Sequence, residues 1–286
     1  MDRFKKVKLA SIFGIFGNVF LLIIKSFIGI ISNSQAMIAD AINSAGDILS
    51  SFITFIGNII ASKPSDEDHN LGHGKAEYIY SMLISLVMML MGVFVFKDSI
   101  LSIIFKNKYE FSNWIIIVCL ITILVKFCLF IYTNNISKKY NNLLMKANSR
   151  DHINDCVITL CNLIASIFAI FNIYIVDGIV GTMIAIWMLI TAFKIFKESY
   201  DVLMDKSISS ETKEKVYNII NSHKEIKKVI HFNSTPVGYK YQISFTIYVD
   251  GNMSTFESHK IANDLEKEII KKMDEIYLVV IHVNPC

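Results

Sequence analysis

The residues of this chain that could do chemistry lie largely where water is scarce. Asp40, Asn43, Ser44, Asp47 and Ser51 fall inside a long apolar stretch with spacing i, i+3, i+4, i+7 and i+11, which places all five on one helix face. Another apolar stretch opens with Asn148, Asp151, His152, Asp155 and Thr159. Asp151 and Asp155 are four residues apart and share a face. Two such helices, face to face, would each offer a pair of oxygen ligands one turn apart, enough to hold one cation at about membrane depth. Carboxylates crowded in lipid are costly without a cation to balance them, so Asp47, Asp151 and Asp155 read as a cation site. Ser44, Ser51 and Asn148 fit helix packing as well as they fit a site. Asp40 stays open among ligand, proton carrier and structural hydrogen-bonder. Lys25 and Lys126, in two further apolar stretches, read as snorkelling or pairing residues rather than substrate groups.

A different cluster sits in a polar segment. Lys63 to Glu77 contains Asp66, Glu67, Asp68, His69 and His73, and its Gly72 and Gly74 permit tight turns. Two imidazoles and three carboxylates so close together can bind a divalent metal. The same composition also describes a solvated acidic loop, and composition does not choose between the two.

Long apolar runs must position these residues. Hydrophobic residues make up 53% of the 286, charged residues 19%, and the mean hydropathy is +0.47. Those values exclude a disordered chain. The net charge of +3 is too small to argue for a nucleic-acid surface. Six runs, approximately 9–31, 35–62, 77–105, 113–133, 148–172 and 174–197, are each long enough to cross a bilayer as a helix. The first is too long for a cleaved signal peptide and no small-residue cleavage site follows it. Arg3, Lys5, Lys6 and Lys8 precede the first run. Lys63 and Lys75 follow the second, and Lys138, Lys139 and Lys146 follow the fourth. The opposite loops are short: Ser32 to Ser34, Lys106 to Glu110 and Asn172 to Asp177. Their Lys106 and Lys108 count against the trend. By the positive-inside rule both termini are cytoplasmic. Cys119, Cys128, Cys156, Cys161 and Cys286 have no CxxC spacing and mostly lie in apolar runs, so they read as small buried hydrophobes.

After Asp205 the character changes. Residues 210–223 have helical spacing, 239–249 alternate as a half-buried strand, and Ser254 with Glu257 forms a capping box before a helix bearing Ile261, Leu265 and Ile269. Val229 to Phe232 reads as a short early strand and Leu278 to Val283 as a last one. The expectation is an α-helical membrane protein with six transmembrane helices at residues 1–205. A small cytoplasmic α+β domain of order α-β-β-α-β follows at 206–286, with so little core that a partner copy is expected.

These features together resemble the cation diffusion facilitator family over nearly the whole chain. The resemblance rests on Ser34 through Asp47, on Pro64 through Glu77 with its Gly72-His73-Gly74-Lys75-Ala76-Glu77, on Asp151-His152-Ile153-Asn154-Asp155, and on Glu198 to Asp205. It implies a homodimer with a metallochaperone-like (ferredoxin-like) cytoplasmic domain that exports divalent metal from the cytoplasm, usually against protons, and is not an enzyme. Carried over by position, the transport site is Asn43, Asp47, Asp151 and Asp155. Zinc members usually place a histidine in one of those four positions. This chain has none there, and His152 is adjacent to the position and off the ligand face. The set resembles the manganese-type branch, and four oxygens independently suit a hard ion. The resemblance also maps a loop site onto Asp66, His69 and His73, and a salt bridge that holds the dimer near the membrane onto Lys75 and Asp205. In the soluble domain His231, His259 and His282 fit metal positions, but Thr246 and Asn284 stand where a histidine and an acid are expected. A dimerisation module is an equal reading of that domain, and His223 matches no position.

The expected activity is Mn²⁺/H⁺ antiport in a cell membrane, with Zn²⁺, Fe²⁺ or Co²⁺ as alternative cargo, no cofactor and no nucleic-acid partner. An intramembrane aspartyl protease would need one carboxylate from each of two helices sharing a proton. Here the acids come in i, i+4 pairs without a Gly-x-Gly-Asp motif. A metal sensor without transport would need an effector domain.

Overall fold

A computed structural model describes residues 2–31, 35–105, 113–170 and 175–286. The chain forms two compact units, residues 1–62 with 76–200 and residues 63–75 with 201–286. The segment between the second and third apolar runs therefore belongs with the C-terminal residues. The loops expected at Ser32 to Ser34 and Lys106 to Glu110, and most of that at Asn172 to Asp177, lie outside the described residues.

The first unit is helical: α1 (Asp2–Ile31), α2 (Gln35–Ala61), α3 (Ala76–Phe105), α4 (Asn113–Tyr140), α5 (Leu143–Ile170) and α6 (Ile175–Leu203). Four segments, Arg3–Ile28, Ser44–Ala61, Ala76–Leu101 and Ile116–Tyr140, are long and apolar enough to cross a membrane among the described residues. Several helices run past the apolar windows that reveal them, because polar turns outside lipid keep the backbone ladder going. The polarity of this unit is inverted relative to a water-soluble bundle. Phe16, Phe27 and Leu124 face outward, while Asn18, Lys25, Asp47, Ser51, Lys126, Asn148 and His152 are buried. Lipid-facing helices produce that arrangement.

Short-range chemistry fixes the turn between α4 and α5. Asn141 adopts a left-handed backbone, φ 46°, and the N–H of Asn142 reaches back to Ser137 O at 3.1 Å, which ends α4. Asn142 then caps α5, its Oδ1 accepting from Met145 N–H at 2.8 Å. Neighbouring contacts lock the cap. Glu77 accepts from Leu143 N–H at 2.7 Å through Oε1 and from Arg3 at 2.6 Å through Oε2. Arg3 also donates to Tyr140 O at 3.2 Å. One buried carboxylate thus ties together the starts of α1, α3 and α5. Elsewhere α6 meets α3 at small residues. A Cβ on Gly178 would lie 2.8 Å from the backbone oxygen of Ser99 and 3.1 Å from the backbone nitrogen of Ile103, so glycine permits that approach.

The second unit contains α7 (Ser210–Ser222), β1 (Lys228–Val237), β2 (Lys240–Val249), α8 (Thr255–Lys272) and β3 (Ile276–Pro285), the expected α-β-β-α-β order. The sheet order is β1-β2-β3, antiparallel then parallel, with α8 as the crossover that a parallel pair requires. Ile243, Phe245, Ile247 and Val249 of β2 pack against Val216 and Ile220 of α7 and Leu265 and Ile269 of α8. The alternation of β2 and the Ser254–Glu257 capping box are both present.

β1 departs from expectation, running ten residues instead of four. A bulge between Ile230 and Asn233 breaks the period of two that sequence reading looks for. Pro236 is tolerated because β1 is an edge strand. The cysteine reading also needs correction. Cys119 and Cys156 are buried, but Cys128 and Cys286 are exposed.

Candidate functional site

Two helices built for different surroundings converge on one cluster. The polar face of α2 continues beyond Ser51 to Thr54 and Asn58, giving a stripe of Ser44, Asp47, Ser51, Thr54 and Asn58 that is buried throughout. α1 and α5 satisfy it. Asn18 of α1 donates to Asp47 O at 3.0 Å and to Ser51 Oγ at 3.2 Å, and Asn58 donates to Phe4 O at 3.0 Å. From α5, Asn148 donates to Thr54 Oγ1 at 3.4 Å. These bonds set the register of α2 against its neighbours, so Asp47 arrives level with Asp151 and Asp155. Ligand oxygens of the three carboxylates lie within 4.8 Å of one another.

Lys126 of α4 joins them. Its ammonium donates to Asp47 Oδ2 at 2.6 Å and to Asp155 Oδ2 at 2.5 Å, while Asp151 Oδ2 is buried with no hydrogen-bond partner. Pairing was one of the two roles read for Lys126, and the structure makes its partners the site acids themselves. Snorkelling is overturned. The residue sits mid-helix, about 20 Å from either end of α4, and its side chain cannot span that distance. That position in the run was the signal which could have placed it. Lys25 pairs in its own way, donating to Ser44 Oγ at 3.0 Å.

His152 is not one of the three residues of this group. It is fully buried, and its Nε2 would lie 3.9 Å from a Cβ on Gly14 of α1. The side chains of Asp40 and Asn43 lie outside the described residues.

Residues 11–204 match the cation efflux transmembrane domain, and residues 208–286 match the cytoplasmic domain of cation efflux proteins. The chain belongs to the cation efflux (cation diffusion facilitator) family. It is a multi-pass membrane transporter that moves divalent cations out, with a cytoplasmic C-terminal domain of the dimerising type. This cation efflux protein is 27% identical over 282 residues to the manganese efflux system protein MneP of Bacillus subtilis, covering 96% of this chain and 95% of that one. It is 29% identical over 293 residues to the manganese efflux system protein MneS of the same organism, covering 99% and 97%. The magnetosome protein MamM of Paramagnetospirillum magneticum is 26% identical over 265 residues, covering 92% and 83%.

The cation efflux protein has a second ligand group, Asp66, His69 and His73, with donor atoms again within 4.8 Å. Asp66 organises it. Its Oδ1 accepts from the His69 N–H at 2.7 Å and lies 3.2 Å from His69 Nδ1, and its Oδ2 is 3.3 Å from His73 Nε2. The backbone N–H of His69 is the main influence holding the Asp66 carboxyl below its ordinary range. Gly72, at φ +75°, turns the chain back, and Gly74 lets the loop touch the β1–β2 turn, where a Cβ would fall 2.6 Å from Gly238 Cα.

Beside the loop, Lys75 donates to Asp205 Oδ1 at 2.8 Å. Asp205 has a left-handed φ of 57°. The N–H of Lys206 reaches Asp201 O at 2.9 Å and that of Asp205 reaches Val202 O at 3.1 Å, the paired bonds of a Schellman helix stop. An aspartate therefore holds a backbone position that glycine usually takes.

In the C-terminal domain, His231, His259 and His282 are all exposed and belong to neither three-ligand group found among the described residues. His231 sits in the β1 bulge at φ 54°. Thr246 lies opposite His282 in the sheet and is buried. His223, which matched no position, ends α7, and its Nε2 lies 2.9 Å from Glu268.

Proposed function

We propose that this chain is a Mn²⁺/H⁺ antiporter that exports cytoplasmic Mn²⁺ through Asn43, Asp47, Asp151 and Asp155. The observation that carries this reading is the group of three carboxylates from α2 and α5 within 4.8 Å of one another, with no imidazole or thiolate among them. Oxygen donors suit Mg²⁺, Ca²⁺ and Mn²⁺, whereas nitrogen and sulfur favour Zn²⁺ and Cu. Relatives named as manganese efflux proteins along nearly their full length support the choice within the hard group.

The ion enters between α2 and α5, sheds most of its water and binds the carboxylates, with Asn43 adding a neutral oxygen. The helices rock to open the site outward. Protons from outside loosen the grip on the metal and ride inward on the return. Residues 1–205 act as the transport domain, crossing the bilayer six times with both termini cytoplasmic. Residues 206–286 dimerise, Lys75 with Asp205 steadies that arrangement, and Asp66, His69 and His73 bind an accessory metal. A second reading keeps the transporter and changes the cargo to Zn²⁺, Fe²⁺ or Co²⁺. The two imidazoles of the loop group favour it.

Flux into proteoliposomes containing a divalent-sensitive dye tests both readings. Wild type, Asp155→Ala and Asn43→His are offered Mn²⁺ and Zn²⁺ separately, with and without a pH gradient. Gradient-dependent Mn²⁺ flux that vanishes in Asp155→Ala supports the proposal. Zn²⁺ flux without Mn²⁺ flux overturns the metal, and indifference to the gradient overturns the antiport.

A further inference from the structure

The ammonium of Lys126 stands where a transported ion would have to bind. Its nitrogen is 2.6 Å from Asp47 Oδ2 and 2.5 Å from Asp155 Oδ2, close to the 2.0–2.6 Å at which hard divalent ions take carboxylate oxygens. Both bonds use oxygens of the three-carboxylate group, and the lysine side chain is 1% exposed. Three carboxylates and one ammonium leave two formal negative charges, so the lysine does not neutralise the group and a divalent cation is still attracted to it. Asp151 keeps a buried Oδ2 with no hydrogen-bond partner, so the group is not saturated by the lysine.

We propose that Lys126 is a tethered resident cation that fills the transport site of the metal-free protein, and that the divalent ion binds by displacing its ammonium from Asp47 and Asp155. This rests on the reading of the three carboxylates as the transport site. Physical chemistry argues for displacement over coexistence. An ammonium and a divalent ion drawn to the same two oxygens would stand a few ångströms apart, and in a site with little water their mutual repulsion is poorly screened. The lysine stem is flexible and its head is a compact point charge with three rotatable donors, so it can leave and return without helix movement. Lys126 also spares the empty site from carrying its carboxylates unbalanced through lipid.

Competition has two consequences. Lys126 weakens metal affinity, and it helps eject the ion once the site opens to the far side. It also sets a selectivity floor, because a cation must out-compete an ammonium already in place. Lys126 is thus a positioning and specificity residue that acts through the ligands.

The test uses the full-length protein with the His73→Ala change, so that the loop group does not contribute, and measures Mn²⁺ binding by electron paramagnetic resonance and flux in proteoliposomes. Lys126→Met, of similar length without charge, should bind Mn²⁺ at least tenfold more tightly while its flux falls at least tenfold. A lysine that merely props up the helices would lose affinity and flux together. Folded Lys126→Met protein with unchanged or weaker affinity overturns the proposal. Should that variant fail to fold, the Mn²⁺-bound structure of the protein with Lys126 intact decides. The ammonium should be more than 3.5 Å from Asp47 or Asp155, and both bonds persisting beside a bound ion overturns the idea. Asp155→Asn is the control for the underlying reading. If it binds Mn²⁺ as the parent does, the carboxylates are not the transport site and the inference falls with that reading. If it abolishes binding while Lys126→Met changes nothing, the role of the lysine alone is wrong.

Discussion

Glu77 tests whether the helical unit is held as described. Its side chain is 2% exposed, and both of its oxygens are used, one by Arg3 at 2.6 Å and one by the first N–H of α5 at 2.7 Å. Glu77→Ala would leave the Arg3 guanidinium, itself 9% exposed, facing a void in a poorly hydrated place, and would strip the α5 start of an acceptor. Removing one partner of a buried pair costs about 3–5 kcal/mol. For a chain of this size that corresponds to roughly 10 °C in the melting midpoint. Glu77→Gln fills the same space and keeps one acceptor oxygen, but it replaces the other with a donating amide, so it preserves one of the two contacts and should cost less than Glu77→Ala. Arg3→Ala combined with Glu77→Ala should cost less than the two single losses added together, because neither charge is then stranded. With Cys128, Cys161 and Cys286 replaced by serine in every variant compared, a thiol-reactive dye reports the melt, since Cys119 and Cys156 are buried in the folded unit and become reactive as it opens. A Glu77→Ala midpoint within 2 °C of wild type, or additive single and double losses, would refute the reasoning.

Three further outcomes follow from other parts of the chain. Lys75→Ala should cost no more than about 1 kcal/mol, since both partners are well exposed. Asp205→Gly should be close to neutral in a thermal melt, because glycine relieves the left-handed backbone while the exposed ion pair is lost. Ser254→Ala should destabilise the C-terminal domain by about 1 kcal/mol, read by chemical denaturation. In the same cap the Ser254 N–H holds the Glu257 carboxyl below its ordinary value of 4.5. Its contribution is therefore present above that pH and lost as pH falls through the lowered value. Glu257→Gln should remove that part of the acid sensitivity, and an unchanged acid limb would contradict it.

Local patterns found most of the architecture. The apolar runs located α1 to α6, the alternation of Tyr241 to Val249 located β2, and Ser254 with Glu257 located the start of α8. Where two patterns overlapped, reading failed locally. The bulge at His231 hid most of β1, and the polar residues on both sides of the α4–α5 junction, Lys138, Lys139 and Lys146, hid the Asn141–Asn142 stop and start. The acids of the candidate site were legible because aspartates in an apolar helix are expensive enough to stand out, and their i, i+4 spacing puts each pair on one face. Composition along the chain thus determined the membrane class, the two-part organisation and the carboxylates of the candidate site.

What only the tertiary structure decided is which charges meet. Asp47, Lys126, Asp151 and Asp155 come from three helices, and nothing in the linear order of residues says which turn of α4 lies level with which turn of α2. Asn18, Ser51, Thr54 and Asn148 set the register of α2 against α1 and α5 by interhelical hydrogen bonds whose partners lie 29 to 94 residues apart. The same holds for Glu77, which reads as one more residue of a loop motif until Arg3 and Leu143 are found against it. Periodicity reports which face of a helix is polar. The partner that neutralises that face is chosen by packing.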